Sequence, residues 1–262
     1  MKQTAFWLYT LLLAVIITSC EKVIDVKVNE ADKKYVVEGQ LTDSAGSCQV
    51  RITQTKNIDE NNTFGGVSGA QVVITDETGA VHTLAESSPG VYVSPLKGVP
   101  GRLYSLRAAV GGQVFTSAVR MPQPLGLDSL YVSKITVFGE ENRIPNLIYK
   151  DSTGKGNAYR FIPYVNGKKD KGIFIENDDF SDGRRNTTTL YIDGDELEKG
   201  DTLTVEMQCI DPVLYKYWQT LAQGSTGQSQ TASPANPITN ISGGALGYFS
   251  VHTVRRHSLV VQ

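Results

Sequence analysis

Arg102 to Arg120, RLYSLRAAVGGQVFTSAVR, decides the fold. Two alternating runs, Arg102–Val110 and Gln113–Arg120, flank Gly111-Gly112. A two-residue glycine loop supplies positive φ at both turn positions, as a tight hairpin requires. Such a loop sets Val110 opposite Gln113, Ala108 opposite Phe115, Leu106 opposite Ser117 and Tyr104 opposite Val119. Opposed residues share a face, so Tyr104, Leu106, Ala108, Val110, Phe115 and Val119 form one apolar surface. Turn and pattern agree.

Upstream the period of two continues through Tyr35–Leu41, Cys48–Thr53, Ala70–Ile74, Val81–Leu84 and Val91–Val93, with turn residues between them. Several short strands in this span predict an immunoglobulin-like or transthyretin-like β-sandwich over residues 35–121. Met121-Pro122-Gln123-Pro124-Leu125-Gly126 then breaks the pattern, because two alternate prolines cannot occupy a central strand. Residues 127–262 read as a second β-rich domain. Its strands fall at Ser129–Phe138, Asn146–Lys150, Ala158–Val165, Gly172–Glu176, Thr188–Ile192, Thr202–Ile210, Tyr248–Val254 and Ser258–Val261. One helix interrupts them, with Asp211 as N-cap, Pro212 in the first turn, and Leu214, Tyr217, Trp218 and Leu221 at helical spacing. The fold class expected is all-β, with one short helix.

The chain has 262 residues, 40% hydrophobic and 20% charged, with a formal charge of −2. That charge lacks the basic footprint of a general nucleic-acid binder. Three cysteines cannot make a disulfide scaffold.

The N-terminus carries an address. Lys2 precedes Ala5–Ile17 (AFWLYTLLLAVII), an uncharged run of 13 residues. This suits a signal-peptide core and is too short for a membrane span of about 20 residues. Ile17-Thr18-Ser19-Cys20 follows, resembling a lipobox. Residues 1–19 are thus expected to be a lipoprotein signal peptide, and Cys20 the lipid attachment site. Residues 20–34 are expected to form a polar tether. Two or more acyl chains would hold the chain on a membrane.

These features together resemble a known family. Cys20-Glu21-Lys22 with Asp25, Tyr35-Val36-Val37-Glu38-Gly39, Gly69-Ala70 leading into Val72-Val73-Ile74, Gly90-Val91-Tyr92, and Gly101 to Leu106 belong to it. So do Leu127-Asp128-Ser129-Leu130 and the closing run Asn240 to Phe249. In this order they resemble the Bacteroidota lipoproteins of the "domain of unknown function 4249" family. The resemblance implies an envelope lipoprotein, commonly found near TonB-dependent outer-membrane transporters, with no assigned catalytic residues. Glu21 and Asp25 are acidic residues close to the lipid cysteine, as in surface-export signals of that phylum, with Lys22 between them. Either membrane face stays open.

Few residues of the chain are candidates for chemistry. The histidines are His82, His252 and His257, and no H-E-x-x-H, G-x-S-x-G, P-loop or G-x-G-x-x-G occurs. His82 reads as part of a solvated strand face, and His252 and His257 as a surface cluster around Arg255-Arg256. Cys48 shares its phase with Val50 and Ile52, and Cys209 with Leu203, Val205 and Met207. Both therefore read as free thiols buried in separate cores. The acidic stretch Glu176–Gly183 fails the EF-hand pattern, since Phe180 takes a ligand position and Thr189 stands where Glu should be. It reads as a solvated turn or an irregular calcium site, with Asp193, Asp195 and Glu196 able to contribute to another. Trp218 reads as a core residue, and the glycines of Gly243–Gly247 as a tight turn or a ligand approach. Asp43-Ser44-Ala45, Asp128-Ser129-Leu130, Asp151-Ser152-Thr153 and Asp201-Thr202-Leu203 resemble O-glycosylation triplets.

The expectation is a non-enzymatic envelope lipoprotein, without catalytic residues, metal or cofactor. Its partners would be the membrane, through the lipid, and a TonB-dependent receptor or surface complex. A hydrolase assembled from residues distant in sequence, and a structural adhesin, are the alternatives. A cleft holding His252 or His257 near a serine and a carboxylate would favour the hydrolase.

Overall fold

A computed structural model describes residues 32–57, 60–61, 63–137, 139–192, 197–225 and 236–262. Cys20, the signal peptide, the tether up to residue 31, and Asp193, Asp195 and Glu196 lie outside these residues. The fold is all-β with one helix among the described residues.

In chain order the first seven strands are β1 (Tyr35–Thr42), β2 (Cys48–Gln54), β3 (Gln71–Asp76), β4 (Val81–Ser88), β5 (Val91–Ser94), β6 (Leu103–Val110) and β7 (Gln113–Arg120). After the proline segment come β8 (Leu127–Val137), β9 (Glu140–Lys150), β10 (Ala158–Val165), β11 (Lys168–Lys169), β12 (Phe174–Asn177) and β13 (Arg185–Thr189). The chain closes with β14 (Thr202–Ile210), the helix α1 (Pro212–Ser225) and β15 (Leu246–Val260).

The β6–β7 hairpin has the register derived from its turn. Val110 pairs Gln113, Ala108 pairs Phe115, Leu106 pairs Ser117 and Tyr104 pairs Val119. Gly111 and Gly112 both take positive φ. A Cβ at Gly111 would also stand 2.3 Å from the Tyr35 hydroxyl, so the position excludes a side chain twice over.

One 12-stranded sheet runs β11-β10-β14-β15-β1-β2-β5-β4-β3-β6-β7, with β12 beside β10, and a second sheet of three runs β13-β9-β8. The long sheet folds over itself at β4, which pairs with β3 through its first half and β5 through its second. The layers on either side of this bend enclose the first core, built from Val37, Leu41, Val50, Ile52, Val72, Ile74, Leu106, Phe115 and their neighbours.

That core is completed from the far end of the chain. Ile241, Ala245, Phe249 and Val251 all pack in it. The first half of β15 pairs parallel with β1, from Val36 with Leu246 to Thr42 with His252. Asn240 prepares this entry: its side-chain amide donates to the Phe249 carbonyl and its amide oxygen accepts from the Phe249 N–H, both at 2.8 Å. Ser242 bridges to Thr116 of β7 and closes the edge opposite. The sequence division at residues 121 and 127 therefore does not separate two self-contained stretches of chain. The two runs expected at Tyr248–Val254 and Ser258–Val261 are one 15-residue strand.

The second half of β15 leaves β1 and pairs antiparallel with β14, from Cys209 with Thr253 to Thr202 with Val260. One face of β10 and β14 lies over the three-stranded sheet. Tyr159, Phe161, Leu203, Val205, Met207 and Cys209 meet Leu130, Leu147 and Tyr149 there in a second core. α1 covers the other face, with Leu214, Tyr217 and Trp218 against Ala158 and Ile210. Asp211 caps it as expected: the Val213 N–H donates to Asp211 Oδ1 at 2.7 Å. Cys48 and Cys209 are free thiols buried in the separate cores, as their phase predicts.

Candidate functional site

Where the two cores meet, the proline segment crosses a cleft of about 410 Å³. Met121 and Leu125 from that segment, with Ala158, Tyr159, Cys209 and Ile210 from β10 and β14, supply its apolar lining. Arg120 approaches from the first unit, Gln123 from the proline segment, and Ser152, Thr153, Asn157 and Asp211 from the second. An apolar floor with a few hydroxyl, amide and charged groups is the usual make-up of a small-molecule site, and the junction of two units its usual place.

One wall is braced by three carboxylates, Asp151 and Asp178 buried and Asp182 exposed. The loop after β9, residues 151–157, is laced to the loop after β12, residues 178–184. Asp178 is 1% exposed. Its Oδ1 accepts the Gly156 N–H at 3.0 Å and its Oδ2 the Asn157 N–H at 2.9 Å. Asp182 accepts the Gly154 N–H at 2.7 Å, and Asp151 Oδ2 accepts the Gly183 N–H at 2.9 Å. Tyr159 donates its hydroxyl to Asp151, and burial beside that carboxylate raises the tyrosine pKa. Gly154, Gly156 and Gly183 all have positive φ, which turns their amides toward the acids. Charge-assisted bonds of this kind are about twice as strong as neutral ones. The cleft wall is thus pre-formed.

Within the expected turn Glu176–Gly183, Glu176, Asp179, Phe180 and Asp182 are exposed, as a solvated turn requires, and the burial of Asp178 is the exception. Asp178 is among the most buried residues of the chain, while Phe180 at the loop tip is 93% exposed. Asp151, Asp178 and Asp182 each offer a carboxylate oxygen within 4.8 Å of the others. Among the described residues they are the group that could hold a cation, although each already accepts a backbone amide. Of the triplets, Asp151 is buried, while Ser44 and Thr202 are exposed.

His252 is also not where its charged neighbours suggested. It is 3% exposed, whereas His257 is exposed and His82 half-buried. His252 Nδ1 lies 2.7 Å from Ser250 Oγ, and Ser250 is 4% exposed. Glu206 is nearby but engaged: Arg256 donates to its Oε2 through Nε at 2.8 Å and Nη2 at 2.6 Å, and Gln208 donates to Oε1 at 2.7 Å. A histidine, a serine and a carboxylate do gather here, but none of them lines the cleft.

Burial pushes the His252 pKa down from 6.5 to about 4. The unfolded chain then binds a proton more readily than the folded one between these values, so stability falls as pH drops from 6.5 to about 4. The expected loss from this group is about 2–3 kcal/mol across the window. Urea unfolding at neutral and acidic pH measures it. The same series on His252→Gln should show a smaller loss; an unchanged slope would remove His252 as its source.

The residues of the cleft come from segments far apart in sequence, so no motif announces it. The profile of a family described as "Domain of unknown function (DUF4249)" matches residues 21–258. The chain belongs to the DUF4249 family. No curated protein matches this DUF4249 chain. A crystal structure of a DUF4785 family protein from Legionella pneumophila is similar at 12% identity and a TM-score of 0.24, over 68% of this chain and 52% of that one. The DUF4249 chain spans about half the length of that protein. Among its described residues no helix is long and apolar enough to cross a membrane.

Proposed function

We propose that this DUF4249 protein is a cell-envelope lipoprotein, held on the outer membrane by lipid at Cys20, that works as a non-enzymatic binding module. Its partner is a TonB-dependent transporter or surface complex, and the cleft between the cores is its binding surface. The observation that carries this reading is the braced cleft. A pre-formed wall lowers the ordering cost of binding, which a partner or small ligand would otherwise have to offset. The lipobox-like Ile17-Thr18-Ser19-Cys20 supports the anchor. The burial of Ser250 and His252 supports binding over hydrolysis, because a substrate carbonyl has no route to the Ser250 hydroxyl in this arrangement.

Thr153 stands exposed on the cleft rim, so Thr153→Trp would fill the opening without touching either core. Affinity purification of the native protein from its own membranes should recover a TonB-dependent receptor, and the Thr153→Trp form should recover at least about tenfold less, the equivalent of 1.4 kcal/mol. Equal recovery would move the partner surface away from the cleft. Recovery of no envelope protein by either form would favour a free-standing structural component.

A further inference from the structure

A second pocket lies on the outer face of the first unit, on the side of the sheet away from its core. It has a volume of about 140 Å³ and is lined by Glu38, Gly39, Gln40, Gln49, Arg51 and Tyr248. We propose that it binds a neutral, hydroxyl-rich ligand, of which one saccharide ring is the size that fits.

The polar groups are set by strand register. Glu38 pairs Arg51 and Gln40 pairs Gln49 across β1 and β2, so all four side chains rise from one face. Strands lie about 4.8 Å apart, and alternate residues along a strand about 7 Å apart. The four side chains therefore stand at the corners of a small rectangle, a spread comparable to the hydroxyls around one pyranose ring. Among the described residues, none of the four makes a side-chain hydrogen bond or an ion pair with another, although Glu38 and Arg51 are opposite charges directly across from each other.

The chemistry of this rectangle selects a ligand class. One carboxylate and one guanidinium cancel in charge, which disfavours an anion or a cation as the main guest. Two amides offer donors and acceptors, the carboxylate acceptors only, and the guanidinium donors only. A group that both donates and accepts at several points satisfies them together, and hydroxyls on one ring do so.

The fifth side chain supplies an apolar wall. Tyr248 stands beside Glu38 on the parallel strand β15. Its ring packs at 4.9 Å from Tyr217 and 5.2 Å from Trp218, between centroids. The Arg160 guanidinium carbon lies 3.6 Å from the centre of the Trp218 ring. The wall is therefore fixed by a stack anchored in α1 and β10, and an aromatic ring with a polar tip suits a guest with both C–H and O–H surfaces. None of these residues lines the cleft between the cores, so the two sites are separable.

Saturation-transfer NMR on the full chain, in a zwitterionic detergent that contains no sugar, tests the assignment. The probes are the methyl glycosides of glucose, galactose, mannose and N-acetylglucosamine. At least one should show saturable binding. Gln40 and Gln49 are not core residues, so Gln40→Ala/Gln49→Ala should fold normally and weaken that binding at least about tenfold, whereas Thr153→Trp should leave it unchanged. Sodium acetate and methylammonium should not compete. No binding by any of the four glycosides overturns the proposal. So does binding that survives the double substitution, that is lost in Thr153→Trp, or that acetate or methylammonium displaces.

Discussion

Phe249→Ala is expected to destabilise the protein by about 3–5 kcal/mol, the upper range for truncating a buried aromatic. Phe249 is fully buried in the first core although it lies only 13 residues from the C-terminus. It faces Gly39 across the parallel β1–β15 pair. A Cβ at Gly39 would come within 2.8 Å of Phe249 Cδ2, so the ring occupies the space that the glycine leaves open. Truncating Phe249 creates a cavity above a residue with no side chain to fill it. Equilibrium urea unfolding measures the loss, with Val81→Ala as control, since Val81 is exposed and outside the core. The control should stay within about 0.5 kcal/mol of the native protein. If both variants unfolded alike, β15 would not be holding the first core.

Asp178→Ala carries the second-largest expected effect, a loss of about 4 kcal/mol. It leaves the Gly156 and Asn157 amides without their acceptor, each at about 1–3 kcal/mol. Asp178→Asn keeps one acceptor oxygen and should lose less. The effect should be local as well as global. Hydrogen exchange at Gly156 and Asn157 should rise before exchange elsewhere in the second core, because these two donors lose their partner directly. The wall of the cleft loosens with them, so recovery of the membrane partner should fall in Asp178→Asn too. Unchanged protection at both amides would show that the loops hold together without the carboxylate.

Parts of this architecture were legible in the sequence because the signals are local. The β6–β7 register follows from counting outward from Gly111-Gly112. The burial of Cys48 and Cys209 follows from alternation, and α1 from its cap and its spacing. The course of β15 was not legible. Arg255, Arg256 and His257 read as a break between two strands, whereas the strand simply passes from the core of the first unit to the exposed edge of the second. Arg256 can stand there because Glu206 on β14 meets it at 2.6 Å. Its parallel partner β1 lies some two hundred residues earlier, and no local pattern encodes such a pairing.

The candidate site was hidden for a related reason. Asp178 sits in a run of acids that reads as solvated, and the amides that it binds belong to a loop more than twenty residues away. The cleft needs Arg120 from one unit, Gln123 from the proline segment, and Ser152 and Thr153 from the other unit, so it exists only once both are folded. His252 was misplaced by its neighbours: Arg255, Arg256 and His257 belong to the exposed half of β15, but His252 belongs to the buried half.

Membrane fractionation of cells that carry the native protein or Cys20→Ala, with protease treatment of the intact cells alongside, tests the lipid anchor at Cys20. The native protein should sediment with the outer membrane, and Cys20→Ala should be released from it. Loss of the native protein to protease would place it on the outer surface, and protection until lysis would place it on the periplasmic face. If Cys20→Ala stayed on the membrane as firmly as the native protein, the lipid-anchored reading would be contradicted.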